Sequence, residues 1–464
     1  MELSGITAWQ WLALVQHELL LFAALFFLLG AADELCVDLA WLWLRLTGRA
    51  RAVRFDPAEA AAGELEARSA VFIPAWDEAQ VIGPMLRHLL GAWRQRDLRV
   101  YLGCYANDLA TLEAASAAAG DDPRVRIVVV GASGPTTKAD CLNRLYRALE
   151  DDEHRQGQRA RLVILHDAED MVDPAALALL DRAIGGADLV QLPVVPLPHP
   201  RSRWIGGHYV DEFAEQHGKA LVVRDALGAG VPMAGVGCAI ARDMLDRLPG
   251  ARGGAGPFAA ECLTEDYELG LVVADMGGRT RFLRARAPDG RLIATRAYFP
   301  GTLVAAVRQK TRWIHGIAFQ GWDRLGWRGH PADLWMRLRD RRSPFTALTL
   351  AIAYLLLALF GLAWIAGPEP AAALSPFMRA ILWLNLASLV WRSLWRFGFT
   401  AREHGPAEGL RAVLRIPVAN VIAIMAGRRA LAAYVRVLCG QQAVWDKTEH
   451  RFHPAGLAAH GAGA

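Results

Sequence analysis

The 464-residue chain predicts an α/β domain on a mostly parallel sheet, joined to transmembrane helices, one N-terminal and two or three C-terminal. Three observations predict it. Between Ala70 and Arg296, short apolar runs alternate with amphipathic stretches, the pattern of a parallel sheet covered on both faces. Apolar runs of membrane-spanning length flank that region. Hydrophobic residues make up 53% of the chain and 16 residues are Trp, which is rich for a soluble enzyme and modest for a pure transporter.

The elements follow in order. Residues 1–48 read as a transmembrane or interfacial helix. Its apolar run begins at Leu19 and continues past Asp33-Glu34 to Leu46. At 1.5 Å per residue this is about 40 Å, against a hydrocarbon core of about 30 Å, so the helix must tilt or bend. The acids are then at the interface or face other helices. Arg45, Arg49, Arg51 and Arg54 follow the run and no Lys or Arg precedes it, which places the N-terminus outside and the next domain in the cytoplasm. The start lacks the basic region and cleavage site of a signal peptide.

Residues 49–69 form an Ala- and Glu-rich linker before a domain at 70–323. Within it, 71–73, 100–102, 125–130, 162–165 and 189–192 read as buried strands. Residues 81–94, 109–119, 139–149 and 174–184 read as the helices between them. Ligands in such sheets sit beyond the carboxyl ends of the strands. Trp76-Asp77-Glu78, Asn107-Asp108 and Asp167 all lie just past strand ends, so they are expected on one edge. Residues 234–240 read as a flexible turn before a strand or helix. The Arg-rich stretch 324–345 reads as interfacial. Residues 346–437 are the C-terminal transmembrane region, with spans at 346–366 and 381–399 around an external loop. The 413–426 stretch is about 14 residues long and contains Arg415, which favours a re-entrant or surface-lying segment. A cytoplasmic tail, 438–464, ends in a Gly/Ala-rich stretch expected to be disordered.

Net charge is only +4, with Arg clustered beside apolar segments, which points to membrane orientation and not to nucleic-acid binding. Cys36, Cys104, Cys141, Cys238, Cys262 and Cys439 show no paired spacing, so a disulfide framework and a zinc site are both unexpected.

Three segments carry the chemistry. Ile164-Leu165-His166-Asp167-Ala168-Glu169-Asp170 is an apolar strand ending in packed acids. Such acids can hold a hard divalent cation that also takes substrate phosphate oxygens. They can equally be a solvated cluster capping the next helix. Strand alternation puts Asp167 and Glu169 on one side, so they are the metal pair expected. Leu263-Thr264-Glu265-Asp266-Tyr267-Glu268 offers Asp266 as general base, with Glu265 and Glu268 as supporting charges. It also has the form of an ordinary helix start. In Arg308-Gln309-Lys310-Thr311-Arg312-Trp313, Gln309 and Arg312 suit a diphosphate and Trp313 suits a sugar ring. The same run fits an interfacial helix with a Trp anchor. Trp76, Glu78, Asp108 and Lys138 form a candidate nucleotide side, by stacking and by reading a base edge. Solvated loop acids and a surface lysine are the bland alternative. Metal, base, diphosphate clamp and sugar platform together spell transfer of a sugar from a nucleotide diphosphate.

In this order the residues resemble processive, membrane-embedded family 2 glycosyltransferases, the group of cellulose and hyaluronan synthases. Phe72-Ile73-Pro74-Ala75-Trp76-Asp77-Glu78 is similar to the family's opening Pro-x-x-Asn-Glu loop, and Lys138-Ala139-Asp140-Cys141-Leu142-Asn143 to its Lys-Ala-x-x-Leu-Asn segment. His166 to Asp170, Val307-Arg308-Gln309-Lys310 and Ala443-Val444-Trp445-Asp446-Lys447-Thr448 are similar to a bacterial inner-membrane subgroup named for phage adsorption. The resemblance implies a GT-A nucleotide-sugar domain, Mg2+ or Mn2+ as cofactor, a UDP-sugar donor and a growing glycan acceptor. It also implies a multi-pass place in the bacterial inner membrane, with the lipid bilayer as a partner. Asp77 departs from the usual Asn, Glu169 from the usual second Asp, and Asp108 from the Asp-Asp-Gly of cellulose synthases. Three spans are few for a polysaccharide channel, which implies a homodimer or an export partner. Relatives often extend into a cyclic-dinucleotide-binding domain after Trp445-Asp446-Lys447, so any such control is expected from a separate partner. A single-addition polyprenyl-phosphate glycosyltransferase and a non-catalytic receptor or scaffold are the rival readings.

The charge pattern makes a direct prediction. A reporter that matures only in the periplasm should stay silent when fused near residue 150 and give signal near Pro370. The reverse pattern would overturn the topology.

Overall fold

The computed structural model describes residues 8–50, 52–56, 63–252, 256–366, 374–441 and 453–454. Its centre is a seven-stranded sheet in the order Val125–Val130, Leu98–Tyr105, Ser69–Pro74, Leu162–Leu165, Cys238–Ala241, Leu189–Gln191 and Thr280–Phe282. Every pairing is parallel except those of Cys238–Ala241, which runs antiparallel to both neighbours. The five strands expected from the sequence are all present, and so are the four helices. Those helices are Ile82–Ala92, Leu109–Ala119, Lys138–Gln156 and Ala176–Ile184.

The continuous apolar runs have a simple cause: both faces of the sheet are covered. Val71, Ile73, Val100, Leu102 and Ile164 pack with Met85, Leu86, Leu89, Leu177 and Leu180 on one face. The alternate residues Phe72, Tyr101, Val163 and Leu165 pack with Leu142, Leu145 and Leu149 on the other. A strand buried on both sides has no polar face to show. Thr137 and Asp140 close a capping box at the start of Lys138–Gln156, fixing Lys138 as its first helical residue. The 234–237 stretch is a turn, as expected, and leads into the antiparallel strand.

A long helical run from 207 to 226 was not expected. It comprises Gly207–Glu215, a π-helical Gln216–Ala220 and Leu221–Ala226. Its polar side chains include the buried Asp211, Glu215, His217 and Lys219.

The N-terminal helix, Ala8–Leu46, is longer than its apolar run. Its acids face other helices. Asp33 pairs with Arg339 and Arg342, and Glu34 with Arg342 at 2.5 Å, Arg392 at 2.7 Å and Arg339 at 2.8 Å. Asp38, fully buried, meets Lys219 Nζ at 2.5 Å, and Lys219 also meets Glu215 at 2.8 Å. The 324–345 stretch contains the helix Pro331–Arg341, whose arginines turn inward to protein partners as well as lying beside the apolar helices.

By length and composition, Ala13–Leu46 and Ser343–Ile365 are apolar enough to cross a membrane. The 381–399 stretch, expected to span, lies in Pro376–His404 but falls short in apolarity. Its Arg392 is spent on Glu34 and Glu215. Pro406–Leu414 and Ile416–Leu438 are apolar enough when taken together but bent by 51°, the form of a broken span or of a re-entrant loop such as the sequence led us to expect. The break falls at Arg415, whose guanidinium is fully buried against Asp211 and Glu408, and Pro417 follows without an N–H to continue the ladder. All six cysteines are free. The tail motif at 443–448, the linker at 57–62 and the loop at 367–373 lie outside the described residues.

Lys219→Met should leave Asp38 buried without its cation and Glu215 with Arg392 alone. Breaking a buried pair in this way costs about 3–5 kcal/mol. The variant is therefore expected to melt clearly below wild type in detergent. An unchanged melting temperature would mean that the two carboxylates find other partners.

Candidate active site

The strands Ser69–Pro74, Leu98–Tyr105 and Leu162–Leu165 all point their carboxyl ends at one cleft. Trp76, Glu78, Lys138, Asp167, Glu169, Asp266, Gln309, Arg312 and Trp313 line it together. Residues up to about 240 positions apart in sequence are therefore neighbours in space.

Asp167 leaves the sheet immediately after the strand, and its Oδ1 lies 2.5 Å from Lys138 Nζ. The chain does not stay extended here. The strand ends at Leu165, and residues 168–169 form a turn closed by the Asp170 N–H donating to the Asp167 carbonyl at 3.2 Å. Strand alternation is thus not what relates Asp167 to Glu169; Glu169 reaches the cleft through the turn. Asp170 is committed elsewhere. Its Oδ2 accepts from the Asp167 N–H at 2.9 Å and faces His166 Nδ1 at 2.8 Å, with both side chains buried. His453 Nε2 donates to the Asp170 carbonyl at 3.0 Å, so a residue near the C-terminus braces the same turn.

Asp266 sits in the first turn of the helix Glu265–Asp275. Thr264 holds the N-cap position, but its buried hydroxyl makes no capping bond. Asp266 Oδ1 instead accepts from the Tyr267 N–H at 2.7 Å. Burial pushes the Asp266 carboxyl up, Lys138 and Arg312 draw it down, and the balance is upward. Glu265 is also raised, by burial first and then by repulsion from Asp266. Burial opposes charge on Lys138, yet Asp167, Glu265 and Asp266 outweigh it and raise the ammonium pKa. The cleft thus holds a carboxylate cluster around the Lys138 ammonium, with Arg312 near enough to act on Asp266. Glu268 faces away and pairs with Arg324 at 2.6 Å.

The third segment forms the helix Leu303–Ile314, N-capped by Thr302. Gln309, Arg312 and Trp313 share one face, at i, i+3 and i+4. Gln309 is buried, and its Oε1 accepts no hydrogen bond among the described residues. Trp313 joins an aromatic wall with Tyr209 at 5.9 Å, Phe213 at 6.2 Å and Phe299 at 6.4 Å. Lys310 lies over the Trp313 and Tyr209 rings and pairs with Glu212. The helix ends in a π-helical turn, His315–Gln320, a feature frequent at functional sites. There Gln320 Oε1 accepts from the Leu263 N–H at 3.0 Å, tying this helix to the turn before Asp266.

On the nucleotide side, Trp76 stands edge-on to Tyr105 at 5.1 Å. A Cβ at Gly134 would lie 2.4 Å from the Trp76 ring, so only glycine leaves room for it. The Glu78 N–H donates to the Thr111 hydroxyl at 2.9 Å. Asp108 is not among the residues lining the cleft. It N-caps Leu109–Ala119 through the Thr111 N–H, and its other oxygen takes the Asp77 N–H at 2.6 Å. Asp77 adopts φ +54°, a left-handed conformation that Asn and Asp tolerate better than most residues. That gives a physical reason for Asp at a position where the resembled pattern has Asn.

Glu265, expected as a supporting charge, does line the cleft, while sequence reasoning missed Tyr105, Phe213, Tyr298 and Phe299 as cleft residues. It also missed the buried Gln191, although a polar residue ending an apolar strand run is a readable signal. Asp167 and Glu169 supply two carboxylates, and the described residues contain no group of three or more His, Cys, Asp or Glu arranged around a metal. Two carboxylates completed by diphosphate oxygens fit Mg2+ or Mn2+, which bind through one or two acids plus substrate.

Residues 67–316 match the family model described as glycosyltransferase like family 2. Bacteriophage adsorption protein B of Escherichia coli strain K12 is 32% identical over 460 residues, covering 92% of this chain and 61% of that protein. Bacteriophage N4 adsorption protein B of Escherichia coli O157:H7 matches to the same extent. The chain therefore spans about three-fifths of the length of these curated relatives. Among solved structures, the mannosyltransferase PcManGT from Pyrobaculum calidifontis, in complex with GDP-Man and Mn2+, has a TM-score of 0.52 at 18% identity. That likeness covers 85% of this chain and 99% of the other, and it is one of fold.

The turn geometry separates two acids that sequence treats alike. Glu169→Ala should weaken the metal-dependent part of nucleoside diphosphate binding and leave the melting temperature unchanged. Asp170→Ala should lower the melting temperature, because it strips the turn of its internal acceptor. Titrations with Mn2+ and with chelator, alongside thermal melts, distinguish them. Loss of the metal effect in Asp170→Ala at unchanged stability would reverse the assignment.

Proposed function

The chain belongs to glycosyltransferase family 2, and from that premise we propose that it transfers a sugar from a nucleotide diphosphate sugar to an acceptor hydroxyl, with inversion. The observation that carries this reading is the meeting of Asp167, Lys138, Asp266 and Arg312 in one cleft beyond the sheet's carboxyl edge. Asp266 takes the proton of the acceptor hydroxyl as its oxygen forms the new bond to the anomeric carbon. The bond from that carbon to the diphosphate breaks, and its electron pair leaves with the nucleoside diphosphate. Lys138 and Arg312 face the negative charge that develops there, which is stabilisation by groups fixed in advance. A Mg2+ or Mn2+ held by Asp167 and Glu169 would neutralise further charge on the diphosphate.

Trp313, Phe213 and Phe299 offer apolar rings in the cleft that holds the base, backed by the buried Tyr209, which suits a sugar acceptor. We extend the reading to a UDP-sugar donor and to a growing surface or secreted polysaccharide made at a bacterial inner membrane. The catalytic domain would face the cytoplasm, where nucleotide sugars are supplied. The apolar helices on either side of the domain support a membrane location.

Membranes carrying the protein, incubated with a panel of radiolabelled nucleotide sugars, test the reaction and its donor. Asp266→Asn keeps the shape but cannot accept a proton. Turnover should fall roughly a hundredfold to ten-thousandfold, the usual scale for a general base, while donor binding stays nearly intact. Wild-type turnover in this variant would reduce Asp266 to a helix-start residue. Chelation should abolish transfer, and added Mn2+ or Mg2+ should restore it.

A further inference from the structure

Gln191 is a fully buried amide at the end of the strand Leu189–Gln191, and backbone groups meet both its side-chain atoms. Nε2 donates to the Leu192 carbonyl at 2.8 Å and to the Val236 carbonyl at 2.9 Å. Oε1 accepts from the Ala234 N–H at 2.8 Å. One side chain thus pins both flanks of the 234–236 turn. A buried amide is costly unless bonded, and a fully bonded one holds its partners in a single arrangement.

What lies between the pinned residues gives the clamp its importance. Gly235 has φ +76°, where a residue with a Cβ is strained. A Cβ there would also sit 2.4 Å from Asp266 Oδ2 and 3.3 Å from Lys138 Nζ. The bare backbone of Gly235 therefore forms the wall against which the Asp266 carboxylate rests, while Asp266 Oδ1 is held by the Tyr267 N–H. A carboxylate turns easily about its last torsion. With one oxygen bonded and the other walled, Asp266 has little freedom left. Glycine pays the largest entropy on being fixed, so this wall relaxes without an external clamp.

We infer that Gln191 is a positioning residue for the general base: it fixes the 234–236 turn, and through Gly235 it sets the direction in which Asp266 presents its carboxylate. The inference rests on Asp266 acting as base. Gln191 itself touches neither donor nor acceptor, so its removal should act on the chemical step and spare donor binding.

The test is a double-mutant cycle on the full chain in membranes. Gln191→Met is of similar length and has no amide. It is expected to lower kcat roughly tenfold to a hundredfold, the scale of a misplaced catalytic group, with donor KM within about twofold of wild type. In the Asp266→Asn background the same substitution should cost nothing further, because the group it positions is already disabled. An equal loss in both backgrounds would make Gln191 a merely structural residue and overturn the proposal, as would an unchanged kcat. Wild-type turnover in Asp266→Asn alone would instead sink the base assignment, and the positioning role with it. If Gln191→Met does not fold, Gln191→Asn makes the same test, keeping the amide on a shorter arm. It should give a smaller loss of kcat that again vanishes beside Asp266→Asn, and an equal loss in both backgrounds overturns the proposal.

Discussion

One lysine joins the two halves of the molecule. Lys219 carries its ammonium on the helical run that backs the cleft and places it between Asp38 of the N-terminal helix and Glu215 of its own run. Moving such charges out of water is expensive, so the arrangement persists only where each ion finds its partner in good geometry. A greasy surface would let an apolar helix slide or rotate against the domain. An ion pair with both partners buried permits one register. Arg415 repeats the device at the other end, gripping Asp211 of the same run from the break between two C-terminal helices. Lys219 and Asp211 lie on either side of Phe213, whose ring meets Trp313 in the cleft. One helical run therefore takes part both in the attachment of the apolar helices and in the shape of the acceptor side.

The sequence was legible where burial is expressed locally. Strands covered on both faces read as unbroken Val, Ile and Leu, and the helices between them show their own period, so the sheet and its site-bearing edge could be found. The helical run from 207 to 226 could not. His208, Asp211, Glu212, Glu215, His217 and Lys219 make it look like a solvated loop. Asp211 and Lys219 are buried because partners far away in sequence neutralise them, Arg415 lying 204 positions from Asp211 and Asp38 lying 181 positions from Lys219. No local pattern records such a pairing. Arg392 shows the same limit, since a charge in an apolar stretch does not reveal that Glu34 awaits it.

The candidate site divides along a similar line. Asp167, Asp266 and Arg312 were legible because their residue types fit one chemistry in one order. Asp108 was not, for a structural reason. A loop that ends a strand also begins a helix, so an acid there can serve a ligand or cap the helix, and its position alone does not say which. Glu169 reaches the cleft, but by a turn and not by the alternation expected of an extended strand. Around them, the cleft gathers Asp167, Glu265 and Asp266 about the single ammonium of Lys138. Such a cluster draws cations in, and an anionic diphosphate is received most readily with a counter-charge beside it.

The length of the N-terminal helix has a mechanical consequence. Its 39 residues extend about 58 Å, nearly twice the thickness of a hydrocarbon core. A free helix adapts to a thicker or thinner bilayer by changing its tilt, at a modest cost per ångström of mismatch. This one has Asp33, Glu34 and Asp38 locked to the rest of the molecule, and it cannot tilt alone. In a bilayer, hydrophobic mismatch at its outer turns becomes a torque on the whole catalytic domain.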